Sequence, residues 1–153
     1  MKIYFANALF SQADFDYNMR VVATLRQAIP TLDIYLPQEN AAINDKEAYA
    51  NSEMIAQADT EQLVASDLVI AGPTIDVGVA SEIGVAYARN IPIIGLYTDS
   101  RQQGTTNSQK VAALQTIAEN QFHYLNLYTV GLIKLNGTIV NSVDTLIETV
   151  QKY

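Results

Sequence analysis

Short apolar runs of strand length alternate along this chain with longer stretches in which apolar residues recur at helical spacing. That alternation is the signature of parallel strands joined by crossover helices. Lys2–Ala6 reads as the first strand. Asp14 is placed to cap a helix whose apolar face includes Met19, Val22, Leu25 and Ile29, and Pro30 ends it. Asp33–Leu36 is a short edge strand, and a second helix opens at Asn44 or Asp45 and runs towards Leu63 and Val64. Asp67–Ala71 is apolar throughout, as a central parallel strand should be. Gly72-Pro73 breaks it, and a helix follows from about Val77 to Arg89. Ile91–Tyr97 is the fourth strand, Thr98 to Ser108 a polar loop, and Gln109 to Asn120 a helix. Thr129–Leu135 reads as the fifth strand, Asn136-Gly137 as a turn, and Ser142 as the cap of a last helix. The expected architecture is α/β: a flavodoxin-like, doubly wound, five-stranded parallel sheet of order 2-1-3-4-5 with helices on both faces. Ligands of such sheets sit at the carboxyl ends of the strands, near the switch point, which directs attention to the turns after Ala6, Ala71 and Tyr97.

Composition narrows the chemistry. At 153 residues the chain reads as one domain over residues 1–153, large enough to bury roughly 68–70% of its unfolded surface without a staple. The absence of cysteine removes zinc ribbons, disulfide scaffolds and thiol catalysis, and His123, the only histidine, leaves no multi-histidine metal centre or Ser-His relay. No metal and no organic cofactor is expected. A formal net charge of -7 argues against nucleic acid as a partner, because phosphates demand a basic face. No signal-peptide core follows Met1, and no apolar run approaches the ~20 residues that span a bilayer, so a soluble, cytoplasmic protein without membrane contacts is expected.

The strand-end turns carry no phosphate cradle. Ala6-Asn7-Ala8-Leu9-Phe10-Ser11-Gln12 and Gly72-Pro73-Thr74-Ile75-Asp76-Val77-Gly78 contain neither a Gly-x-Gly-x-x-Gly pattern nor any Lys or Arg, which favours an uncharged ligand. The informative run is Asp76-Val77-Gly78-Val79-Ala80-Ser81-Glu82-Ile83-Gly84, where Gly78 and Gly84 are positions for close backbone approach. Its two carboxylates can work as proton donor and nucleophile, with the positive helix end keeping Glu82 ionised. They equally fit a helix cap at Asp76 and a solvated first-turn acid at Glu82. Tyr4, on the neighbouring strand, can orient Glu82 or simply fill the edge of the core. Asp59 reads alone as a surface acid, and His123 as a surface or interface residue.

Taken together, Ile3-Tyr4-Phe5-Ala6 with Phe10, Asp59, Ser66-Asp67, the Asp76-x-Gly78-x-x-x-Glu82-x-Gly84 run and Asn126-Leu127-Tyr128 resemble the nucleoside 2-deoxyribosyltransferase family, in family order and over nearly the whole chain. The resemblance implies cleavage of the N-glycosidic bond of a 2'-deoxynucleoside and transfer of the deoxyribosyl group to another nucleobase. Glu82 then forms a covalent glycosyl-enzyme, Tyr4 positions it, and Asp76 exchanges protons with the departing and incoming bases, giving ping-pong kinetics and net retention. By the same resemblance Asp59 binds the sugar or base rim. Asn126 holds the 5'-hydroxyl in a neighbouring subunit's site, making the enzyme a homo-oligomer with shared active sites. Phe5, Phe10 and Tyr128 can stack on or enclose the base, and Gln38 is a candidate base-reading amide, with Asn40 a weaker one. The partners implied are neutral deoxynucleosides and free nucleobases, which an acidic protein binds without electrostatic penalty. Two alternatives stand beside this reading. One is a deoxynucleoside or deoxynucleotide N-glycoside hydrolase, in which water resolves the intermediate. The other is a non-catalytic flavodoxin-like nucleoside-binding or signalling module.

Overall fold

The computed structural model describes residues 1–44, 49–98, 106–109, 112 and 126–153. Its five-stranded sheet consists of β1 (Lys2–Ala6), β2 (Asp33–Tyr35), β3 (Leu68–Ala71), β4 (Ile93–Leu96) and β5 (Gly137–Val140), in the order β2-β1-β3-β4-β5. Every pairing is parallel. The described helices are α1 (Gln12–Ala28), α2 (Ala41–Asn44), α3 (Ser52–Val64), α4 (Val77–Ala88), α5 (Leu127–Leu135) and α6 (Val143–Val150). No helix among the described residues is long and apolar enough to cross a membrane.

Alternation along the strands divides the core in two. Ile3 and Phe5 join the α1 and α6 side with Val22, Leu25 and Leu146, while Tyr4 and Ala6 face the α3, α4 and α5 side with Leu63, Ile83 and Ile133. All four residues of β3 are fully buried, as a central strand sandwiched by two helical layers requires.

Local chemistry explains the element boundaries. Ser11, rather than Asp14, is the cap of α1: its hydroxyl accepts the Asp14 N–H at 3.2 Å, and the Asp14 carboxylate accepts the Ser11 N–H at 2.9 Å. This reciprocal capping box places Asp14 in the first turn, where the helix dipole favours an acid. Met19, expected on the apolar face of α1, is 58% exposed, and the buried stripe runs instead through Asn18, Val21, Val22 and Leu25. The second long helix begins at Ser52, capped by the Asn51 side chain on Met54 N–H, and not at Asn44 or Asp45.

The largest correction concerns Thr129–Leu135, expected as the fifth strand but folded as helix α5. Asn126 caps α5 by accepting the N–H groups of Tyr128 and Thr129. Thr129, Val130, Leu132 and Ile133 bury at i, i+1, i+3 and i+4, which is helical spacing. A short apolar run fits either element, and here the cap decides. The fifth strand is the less apolar Gly137–Val140, in place of the expected turn. Most of the helix expected over 109–120, residues 99–105 of the polar loop, and His123 lie outside the described residues.

Gly137 makes that edge strand possible. It pairs with Ile93, and a Cβ on it would lie 1.7 Å from the Ile93 carbonyl oxygen. Backbone, unlike a flexible side chain, cannot step aside locally, so Gly137→Ala must separate β4 from β5. The expected cost is about 2–3 kcal/mol and a fall in Tm of about 5 °C or more, measured by thermal unfolding. An unchanged Tm would show that β5 tolerates the displacement.

Candidate active site

Two tyrosines on adjacent strands organise the carboxyl-end face. Tyr4 on β1 and Tyr35 on β2 are in register, so both project from the same side of the sheet. Their rings stack with centroids 5.5 Å apart and planes inclined by 27°. Each hydroxyl reaches a carboxylate on a covering helix. Tyr4 donates to Glu82 Oε1 on α4 at 2.5 Å, and Tyr35 donates to Asp59 Oδ1 on α3 at 3.0 Å. Asn40 Nδ2 in turn donates to the Tyr35 hydroxyl at 2.9 Å. Asp59 is therefore a partly buried acid held by Tyr35, and not the surface acid its sequence context suggests.

Burial dominates the electrostatics. It raises the Glu82 carboxyl to about 7, assisted by the negative charges of Asp59 and Asp76 and opposed by the Tyr4 hydrogen bond. The helix dipole does not keep this group ionised in the way its place in the sequence suggests. Helix α4 starts at Val77, so Glu82 stands in the second turn, beyond the reach of the dipole's strongest effect. Burial and the adjacent Glu82 charge hold the Tyr4 phenol well above its ordinary range, so it remains a hydrogen-bond donor. Tyr35 is pushed up to about 12, chiefly by burial. Asp59 is raised by burial, with the Tyr35 hydrogen bond working in the opposite direction.

Asp76 is the N-cap of α4, its Oδ1 accepting the Val79 N–H at 2.8 Å. Capping fixes the side chain at the mouth of the helix, and Asp76 contributes to the repulsion felt by Glu82. Both readings of this acid thus meet in one residue: a cap by geometry, and a charge electrostatically coupled to Glu82. Gly78 lies against it, since a Cβ there would approach Asp76 Oδ1 to 3.3 Å. At Gly84, by contrast, a Cβ would meet nothing within 4 Å among the described residues.

The remaining candidates are distributed around this centre. Gln38 sits in the 3-10 turn Pro37–Glu39 after β2, with both ends of its amide hydrogen-bonded. Phe5 is fully buried in the core on the opposite face of the sheet from Tyr4, so it is a packing residue and not a base contact, whereas Phe10 and Tyr128 are 81% and 77% exposed. Asn126 is likewise exposed, and its Oδ1 is committed to capping α5. Asn40, a weaker candidate base-reading amide by sequence, instead holds the Tyr35 hydroxyl, and Tyr35 itself was not singled out by sequence. Tyr35 was nonetheless findable, because the expected strand order sets β2 beside β1 and alternation puts a tyrosine in each strand on one face.

The sequence matches the nucleoside 2-deoxyribosyltransferase family over residues 3–133. No curated protein sequence matches the chain. Among solved structures, a conserved protein from Enterococcus faecalis V583 is 66% identical, with 99% of this chain and 98% of that chain covered and a TM-score of 0.79. A 2-deoxyribosyltransferase from Bacillus psychrosaccharolyticus is 18% identical, with 96% and 90% of the chains covered and a TM-score of 0.63. A CMP N-glycosidase from Clostridium botulinum is 16% identical, with 100% and 99% covered and a TM-score of 0.51. At those two lower identities the likeness is one of fold. The family match spans most of the chain, and the protein belongs to the nucleoside 2-deoxyribosyltransferase family.

Proposed function

We propose that the protein transfers the 2-deoxyribosyl group of a 2'-deoxynucleoside from one nucleobase to another. The observation that carries this reading is the Tyr4–Glu82 hydrogen bond inside a partly buried cluster that also holds Asp59 and Asp76. Glu82, when ionised, attacks the anomeric carbon. As its oxygen bonds to that carbon, the glycosidic C–N bond breaks and its electron pair leaves with the base. Asp76 relays a proton from solvent to the departing base nitrogen. An incoming base then attacks the same carbon, returns a proton to Asp76 and frees Glu82, so two inversions give net retention. Tyr4 holds the attacking carboxylate by one oxygen and leaves the other available. Asp59, held by Tyr35, takes the sugar or base rim, and Gly78 gives the ligand access beside Asp76. Gln38 reads the base.

Phe10, Tyr128 and Asn126 complete the site in an oligomer, with Asn126 reaching the 5'-hydroxyl bound to a neighbouring subunit. The high exposure of the two aromatic rings supports this, because side chains of that size gain most when a ligand or second subunit covers them.

The test is a chromatographic assay with deoxyinosine, run with and without adenine. Deoxyadenosine formed only when adenine is present is the expected result. Hypoxanthine released at the same rate without deoxyadenosine would make the protein an N-glycoside hydrolase. Turnover of neither deoxyinosine nor thymidine would leave a binding module.

A further inference from the structure

A chain of hydrogen-bonded amides links the three turns that surround the candidate site, and of its members only Gln38 has a role in the function proposed above. Thr74, in the turn leading to Asp76, donates its N–H to Asn7 Oδ1 at 3.0 Å. Asn7 Nδ2 donates to Asn18 Oδ1 at 2.6 Å. Asn18 Nδ2 donates to the Ala8 carbonyl at 3.1 Å and to Gln38 Oε1 at 2.9 Å. Gln38 Nε2 donates to the Phe15 carbonyl at 3.2 Å. Asn7 and Asn18 are 6% and 1% exposed, so water cannot replace these partners. Gly72 is shaped to the same network, since a Cβ there would lie 2.5 Å from the Asn7 side chain.

Backbone groups fix the sense of every link. The Thr74 N–H demands an oxygen from Asn7, which turns the Asn7 amino group towards Asn18. The Ala8 carbonyl demands the amino group of Asn18, so the atom of Gln38 that meets it is the oxygen. The Phe15 carbonyl independently requires the amino group of Gln38 on its own side. Inverting any one amide sets two donors or two acceptors against each other, at greatest cost for Asn7 and Asn18, which are buried. Gln38 can therefore present its remaining hydrogen and lone pair to a ligand in one order only.

We propose that Asn18 is a positioning residue that sets nucleobase selectivity by fixing the orientation of the Gln38 amide. This rests on the proposed function, with Gln38 facing the base. It also explains a buried polar residue on the apolar stripe of α1, where a leucine would otherwise stabilise the helix.

The Asn18→Asp variant makes the strongest test. Its carboxylate still accepts from Asn7 but sets an oxygen against both Gln38 Oε1 and the Ala8 carbonyl, and because the Phe15 carbonyl opposes inversion of Gln38, the amide is pushed from its place. The base then no longer meets one fixed order of donor and acceptor. The ratio of kcat/KM for adenine to that for hypoxanthine, the 6-amino and 6-oxo acceptors, should shift by about tenfold. With Asn18→Ala, Gln38 loses one of its two anchoring partners and keeps only the Phe15 carbonyl, so the ratio should move part of the way towards unity. Parallel losses for both acceptors, with the ratio unchanged in either variant, would overturn the proposal and leave Asn18 a packing residue. Should the variants fail to fold, the unaltered protein still decides by NMR. Slow hydrogen exchange of the Asn18 side-chain amide is expected, and exchange at the solvent rate overturns the proposal. Absence of any base exchange by the unaltered protein would instead sink the functional reading on which this one rests.

Discussion

Glu82→Gln is expected to lose about a thousandfold or more of the transfer rate while making the protein more stable above pH 7. The amide keeps the size of the carboxyl and can still accept the Tyr4 hydroxyl, so the cluster should stay packed. What disappears is the charge and with it the nucleophile. The stability gain follows from linkage. Glu82 ionises near 4.5 in the unfolded chain and near 7 in the folded one, so the folded state holds its proton more tightly across that window. Stability associated with this group is fully present below pH 4.5 and is lost as pH rises through 7. Above pH 7 the unaltered protein carries a buried negative charge near Asp59 and Asp76 that the variant lacks. Allowing for partial solvent access, the difference is about 1–3 kcal/mol. Thermal unfolding of both proteins at pH 4.5 and pH 8 checks it, with the gap small at the lower pH and wide at the higher. Near-normal turnover by the variant would remove Glu82 from the chemistry. A gap independent of pH would show that the carboxyl ionises as it does in water.

The same cluster shows what was legible in the sequence. Strands β1 and β3, helix α4 and the strand order follow from apolar periodicity and from the breaker pair Gly72-Pro73, because these elements are long or fully buried. Tyr4 and Glu82 fall together once that order is set, because β1 neighbours β3 and α4 follows β3 directly. The misread region, Thr129–Leu135, is too short for periodicity to distinguish helix from strand, and its outcome hangs on one capping side chain at Asn126. The raised ionisation of Glu82 was not readable, because it depends on how completely α3 and α4 cover the group. Asn18 was hidden for a different reason. Polarity suggests solvent, and only its spacing with Val21, Val22 and Leu25 places it on the buried stripe.

Tyr4→Phe is expected to slow transfer by about 10–100-fold at pH 7 and to move the pH midpoint of kcat/KM upwards. The phenyl ring preserves the stack on Tyr35 and the burial of β1, so the change is confined to the hydroxyl. That hydroxyl donates to Glu82 and favours its ionised form, in opposition to burial and to the repulsion from Asp59 and Asp76. Because the attacking carboxylate must be ionised, kcat/KM of the unaltered enzyme should rise with pH and reach half its plateau near 7. Removing the donor strengthens the hold on the proton and leaves less of the active form at neutral pH. A hydrogen bond to a charged group contributes about 1.5–3 kcal/mol, which corresponds to the rate factor given. Part of the loss should therefore be recovered near pH 9, where even the altered site ionises. That recovery distinguishes a hydroxyl acting through Glu82 from one that only fills space. A loss equal at every pH, with the midpoint still near 7, would assign Tyr4 to packing alone, and Glu82 would then owe its orientation to α4.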